Sequence, residues 1–221
     1  MCNFLRKVCR YVYHLPFRVV RYCVSLPERV CNRLHGLDFD ALVSMTEAGH
    51  AGYQASSWDA RRIIRNYLRG RISDKDAIID IGCGKGRMLY FFSQFPFRHV
   101  DGLEYSQALI EIAQNNFAIL RKLRKGGGAV RIFQGDAALY DAYDEYNYFY
   151  LYNPFNEIIM TPFLRHVKES AARHPRDIHI IYHNPVHYEL FAAEGFTFVE
   201  ELPIVMSPVK YYVYLLPEQK A

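Results

Sequence analysis

The apolar positions change their period along the chain, and each change predicts an element. From Leu5 to Val30 they fall at Leu5, Val8, Val12, Leu15, Val19, Tyr22, Leu26 and Val30, steps of three and four that suit a helix. Pro16 and Pro27 interrupt that stripe and predict two or three short helices rather than one rod. Residues 36–57, with Gly36, Gly49 and Gly52, read as loop or broken helix, and Ser56 or Ser57 is placed to cap the next element. Over 58–70, Ile63, Ile64, Tyr67 and Leu68 lie on one side and Arg61, Arg62, Arg65 and Arg69 on the other. This is an amphipathic helix that Gly70 stops.

From residue 77 the pattern alternates. Apolar runs at 77–81, 99–106, 130–137, 146–155 and 177–183 read as strands, and helical spacing fills 87–95, 107–123, 158–173 and 186–194. Ser106 is the predicted cap of the helix at 107–123. Two further strands, 196–202 and 211–216, end the pattern as an antiparallel pair. Strands alternating with helices predict an α/β fold, a doubly wound and mostly parallel sheet with helices on both faces and right-handed connections. In such a sheet a ligand lies beyond the carboxyl ends of the strands, where the strand order reverses. The tyrosines and phenylalanines of 146–155 read as core of a buried strand rather than as an acceptor channel.

Charge divides the 221 residues unevenly. Residues 1–35 carry a net +6 and the remainder a net −2, so the positive charge of the whole belongs to an N-terminal arm. We read residues 1–52 as that basic amphipathic arm with its linker, and residues 53–221 as the α/β domain. The arm fits a helical cap packed on the domain, peripheral contact with an anionic membrane surface, or a docking segment for substrate or partner. Removing residues 1–35 is expected to leave ligand binding intact. The domain's own charge gives nucleic acid no support. Four of the five cysteines lie in the arm at spacings that fit no zinc pattern, and no carboxylate–histidine cluster suggests a metal. No apolar run approaches a membrane span, and a reducing cytoplasm is the expected compartment.

The chemistry concentrates at Asp80-Ile81-Gly82-Cys83-Gly84-Lys85-Gly86-Arg87, where an apolar run ends in an acid and a glycine turn opens a helix. The glycines follow G-x-G-x-G rather than the dinucleotide pattern G-x-G-x-x-G, and Arg87 stands where the third dinucleotide glycine belongs. Glu104 ends the second strand, where an acid can accept two ribose hydroxyls, as it does in nicotinamide enzymes.

Asp80 to Arg87 resembles the first motif of the class I S-adenosylmethionine-dependent methyltransferases. That resemblance, over residues 53–216, implies a seven-stranded sheet of order 3-2-1-4-5-7-6 with the last strand antiparallel. It implies that Gly82, Gly84 and Gly86 lie against the methionine and ribose of the cofactor, and that Asp80 holds its amino end. Asp136 and Ala137 would meet the adenine, with Tyr105 packed on it, and Tyr53 is the candidate lid contact. Asn153-Pro154-Phe155 resembles the Asn/Asp-Pro-Pro-Tyr/Phe motif of enzymes that methylate nitrogen, with one proline missing. The implied activity is methyl transfer to an unidentified acceptor, an amine nitrogen of a protein or small molecule. The alternatives are a methyltransferase-like subunit that binds a partner without catalysis and an NAD-dependent oxidoreductase. His183 reads as a packed histidine before it reads as a base.

Overall fold

In the computed structural model the described residues are 22–41, 56–125, 129–203 and 209–218. Residues 22–34 form helix α1. The order then runs α2 (Trp58–Leu68), β1 (Ala77–Ile81), α3 (Arg87–Phe92), β2 (His99–Glu104), α4 (Gln107–Lys122), β3 (Val130–Gln134), β4 (Tyr148–Tyr152), α5 (Glu157–Arg173), β5 (Ile178–His183), α6 (Glu189–Ala193), β6 (Thr197–Pro203) and β7 (Lys210–Leu216). All seven strands join one sheet of order β3-β2-β1-β4-β5-β7-β6. The first five are mutually parallel, and β7 runs antiparallel to both β5 and β6. This is the predicted doubly wound sheet, with the expected order.

Period-two alternation sends the central strands' side chains to two cores. Ile79, Ile81, Phe149 and Leu151 pack beneath α5 and α6 with Phe163, Leu164 and Phe191. Ile78, Tyr148 and Tyr150 pack beneath α2 and α3 with Ile64, Leu68, Leu89 and Phe92. Each fully buried Ile, Leu or Phe contributes about 1.5–3 kcal/mol, so the aromatic strand β4 anchors both layers.

Several local expectations change. Helix α1 runs through Pro27 instead of breaking there. The bond lost at a mid-helix proline is the one to the carbonyl four residues back, here Cys23, which is exposed and open to water. Pro162 inside α5 likewise lies four residues after exposed Ile158. Gly36 ends α1 at φ 74°, and the Leu37 N–H reaches back to the Asn32 carbonyl at 2.8 Å. Ser57 and Ser106 stand at N-cap positions, yet neither side chain makes a cap bond. The Ser56 hydroxyl instead meets the Tyr150 hydroxyl at 3.1 Å. Strands β3 and β4 are shorter than their apolar runs, because the chain turns at Asp136 and at Asn153.

Candidate functional site

Strands β1 and β4 adjoin, and the order β2-β1-β4 marks the reversal point of the sheet. The turn after β1 uses left-handed backbone at Gly82, Gly84 and Gly86, with φ of 76°, 53° and 81°. Residues with a Cβ avoid this region, which is why the turn needs glycine. The Gly82 and Cys83 N–H groups both bond the Leu103 carbonyl of β2, at 2.8 and 3.1 Å. A Cβ at Gly82 would lie 2.6 Å from Pro154 Cβ, and one at Gly86 would lie 2.9 Å from the Phe117 ring. At two of the three glycines, the space a side chain would fill is therefore taken by protein. The first of these contacts presses the end of β4 onto the turn.

Two acids sit behind the turn. Glu104 is buried; one carboxylate oxygen accepts from the Gly84 N–H at 2.8 Å and the other from the Ser106 N–H at 2.9 Å. Asp80 is 3% exposed. No hydrogen bond or ion pair to its carboxyl occurs among the described residues. Burial first, and then the Glu104 charge, push its pKa well above the usual carboxylate value. The contrast is Asp101, equally buried, which takes a two-pronged bond from Arg131 at 2.9 and 2.6 Å and a third from the Tyr146 hydroxyl at 2.7 Å. Asp80 is thus a buried acid with no cation paired to it among the described residues, where a buried charge is ordinarily paired.

The other predicted positions spread around the same strand ends. Asp136 turns the chain after β3, its Oδ1 accepting from the Ala138 N–H at 2.8 Å, and Ala137 is buried beside it. Tyr105 follows β2 and is 43% exposed. Asn153 follows β4 at φ 38°, and its Oδ1 accepts from the Tyr182 hydroxyl at 3.3 Å. Phe155 turns inward, its ring 5.9 Å from that of Phe163 in the core. Tyr53 lies outside the described residues. His183, at the end of β5, is buried between the rings of Tyr152 (3.7 Å) and Tyr211 (4.2 Å), and its Nδ1 lies 3.2 Å from the Tyr150 hydroxyl. Among the described residues no group of acids, histidines and cysteines is arranged to hold a metal ion.

One polar cluster is absent from the sequence-based expectations. Lys85, inside the glycine turn, is 1% exposed and pairs with Asp38 at 2.6 Å. Asn116 of α4, 0% exposed, accepts from the Asp38 N–H at 2.8 Å and donates to the carbonyls of Asp38 and Lys85 at 3.0 and 3.1 Å. Arg87 pairs with Asp40, and Arg61 with Glu28. The segment 22–41 is therefore latched onto the turn and onto the first turn of α2. The only sequence hint was the pair of acids Asp38 and Asp40 near a turn carrying Lys85 and Arg87.

Residues 78–177 match the family model described as a methyltransferase domain. No curated protein matches the chain. Among solved structures, the chain is similar to a TehB-like SAM-dependent methyltransferase from Corynebacterium glutamicum, at 14% identity over 75% of this chain and 90% of that one, with a TM-score of 0.52. It is also similar to the glycopeptide N-methyltransferase MtfA complexed with S-adenosylmethionine, at 12% identity over 71% of this chain and 93% of that one, TM-score 0.55. A third is a putative O-methyltransferase from Nostoc punctiforme, at 14% identity over 71% of this chain and 55% of that one, TM-score 0.55. At these identities the likeness is one of fold, and neighbours named for nitrogen and for oxygen acceptors are equally similar.

Proposed function

We propose, from the match of residues 78–177 to a methyltransferase domain and from the sheet order, that the chain is a class I S-adenosylmethionine-dependent methyltransferase that transfers a methyl group to an amine nitrogen of a protein or small molecule. The observation that carries the cofactor assignment is Asp80, a buried acid at the end of the central strand with no protein donor among the described residues. The amino group of S-adenosylmethionine is the cation that this acid lacks. Glu104, whose carboxylate takes the Gly84 and Ser106 N–H groups, stands at the end of β2, where a carboxylate can accept ribose hydroxyls. Asp136 uses one oxygen to hold its own turn, which orients the other toward an adenine amino group, with the Ala137 N–H beside it. Tyr105 supplies an exposed ring for the adenine, and Tyr53 is retained as the lid contact. The donor set therefore fits the cofactor. The family match favours this ligand over NAD.

The bound sulfonium supplies an activated methyl group and its own leaving group, so the protein contributes mainly alignment. Gly82 and Pro154 touch, which sets the strand-four end at the edge of the cofactor crevice. The Asn153 side-chain oxygen there accepts the N–H of an incoming amine, and Pro154 fixes the wall. Phe155, with its ring in the core, anchors that wall instead of stacking on the acceptor. Residues 1–52 serve as an appendage to the domain at 53–221, and no helix among the described residues is long and apolar enough to cross a membrane. We assign the chain to the cytoplasm, with residues 1–35 as the part that meets an anionic membrane surface or a partner.

Calorimetric titration with S-adenosylmethionine, S-adenosylhomocysteine and NAD tests the cofactor. Micromolar binding of the first two without a response to NAD is expected, and binding of NAD alone would sink the assignment. Formation of S-adenosylhomocysteine in the presence of a pool of amine acceptors separates transfer from a domain that only binds.

A further inference from the structure

A cleft of about 450 Å³ opens between α1, α2 and α3, on residues that take no part in the proposed cofactor crevice. Its walls bring together Arg61, Arg62, Arg65 and Arg87 with, among the described residues, one carboxylate, Glu28, which pairs with Arg61 and lies 3.6 Å from Arg87. Asp40, behind Arg87, supplies a second acid.

The guanidiniums are not all satisfied by protein. Arg65 lies over the rings of Phe91 and Phe95, at 5.2 and 5.4 Å, and no carboxylate pairs with it among the described residues. Arg65 also lines the cleft. Arg87 is buried, and its Nε is a donor with no acceptor among the described residues. A planar guanidinium matches two oxygens of one oxyanion at once. Buried donors without acceptors are costly unless a ligand supplies the acceptors.

We propose that this cleft binds a phosphate group, with Arg65 as the fork that grips it and Arg87 in the wall beside it. The source is a free phosphorylated molecule or a phospholipid headgroup. The second source enters because Tyr22, Leu26, Val30 and Leu34 of α1, four residues apart, are 42–79% exposed on the helix that borders the cleft. Arg29 and Arg33 stand beside them.

The full chain is tested in two arms, with Arg65→Ala and Arg65→Lys alongside. In one arm, inorganic phosphate and pyrophosphate are titrated against chloride at matched ionic strength, with thermal stabilisation as the readout. In the other, the protein is sedimented with phosphatidylglycerol vesicles and with phosphatidylcholine vesicles. Melting in chloride alone reports folding, and Arg65→Lys keeps the charge over the phenylalanines if the alanine variant does not fold. A response in the first arm that weakens by about tenfold or more in either variant, the scale of a lost charge-assisted pair, supports a free phosphorylated ligand. A response confined to phosphatidylglycerol, with the same loss in the variants, supports a headgroup. No response in either arm, or a response that both variants share with the parent, overturns the proposal. Because the cleft and the crevice have no residue in common, either result leaves the cofactor titration to be judged by itself.

Discussion

Replacing Asp80 by Asn separates the acid's effect on the fold from its proposed effect on the ligand, and the two are expected to have opposite signs. The folded protein raises the Asp80 pKa above the ordinary value of 3.8, through burial and the neighbouring Glu104 charge. A carboxyl whose pKa is raised by folding holds its proton more tightly when folded than when unfolded. Well below 3.8 both states are protonated and the group contributes nothing to pH dependence. As pH rises from there through the raised folded value, the folded protein loses stability relative to the unfolded chain, and above that value the full cost persists. Asparagine cannot ionise, so the variant is expected to melt higher than the parent at neutral pH when no ligand is present, and to lose less stability over that window.

Ligand binding reverses the ranking. A bound ammonium favours the ionised carboxylate, so the parent releases a proton on binding wherever pH lies below its ligand-free pKa. Affinity therefore rises with pH up to that value and then levels. The Asn variant loses a charge-assisted hydrogen bond of about 1.5–3 kcal/mol, which weakens binding roughly 10- to 150-fold. Its affinity is expected to be flat with pH over the same range. Calorimetric titration with S-adenosylmethionine at a series of pH values, beside melting curves of both proteins with and without ligand, reads all of these together. A variant that melts lower without ligand and binds as tightly as the parent would refute the reasoning, because Asp80 would then be a structural group with a partner of its own.

Gly82→Ala places a Cβ at a residue with φ 76° and 2.6 Å from Pro154 Cβ. The left-handed backbone costs about 1–2 kcal/mol and the overlap about 1–3 kcal/mol, for a fall in melting temperature of roughly 5–15 °C; an unchanged melting curve would show that β4 does not bear on the turn. Asn116→Ala leaves the Asp38 N–H and the Asp38 and Lys85 carbonyls without their partner. At about 1–3 kcal/mol for each group left unpaired in the interior, less what water recovers at half-exposed Asp38, the loss is roughly 2–4 kcal/mol. Faster hydrogen exchange at the Asp38 amide than in the parent checks that the loss arises at this latch.

The layered sheet was legible because parallel strands buried on both faces must be nearly continuous apolar runs, and Ala77–Ile81 and Ile178–His183 are such runs. The turn was legible because three glycines in left-handed backbone have no substitute. What escaped were features whose cause lies far away in sequence. Asp38, Lys85 and Asn116 meet from three separate segments, and no periodicity couples them. The ion pair of Glu28 with Arg61 and the hydrogen bond of Asn32 to Asp40 tie the arm to the domain and to the following segment, and no charge count shows them. Pro27 looked like a break because sequence does not show that the carbonyl it deprives of a donor is open to water.

Glu104 shows why being legible in the sequence is not the same as being diagnostic. Its position at a strand end marked it as a ribose acceptor, but its two oxygens also hold the Gly84 and Ser106 N–H groups. An alanine there removes the staple of the glycine turn along with any ligand contact, so weaker cofactor binding by that variant is expected on either account. Asp136 is similar, since it holds its own turn through Ala138. Asp80 supports no hydrogen bond in the fold among the described residues, and burial with the Glu104 charge beside it disfavours its ionised form. A native protein keeps such a group where something outside the chain compensates it, and proteins generally lose stability at sites kept for function. The carboxylate that contributes least to the architecture is therefore the one whose substitution tests the ligand most directly.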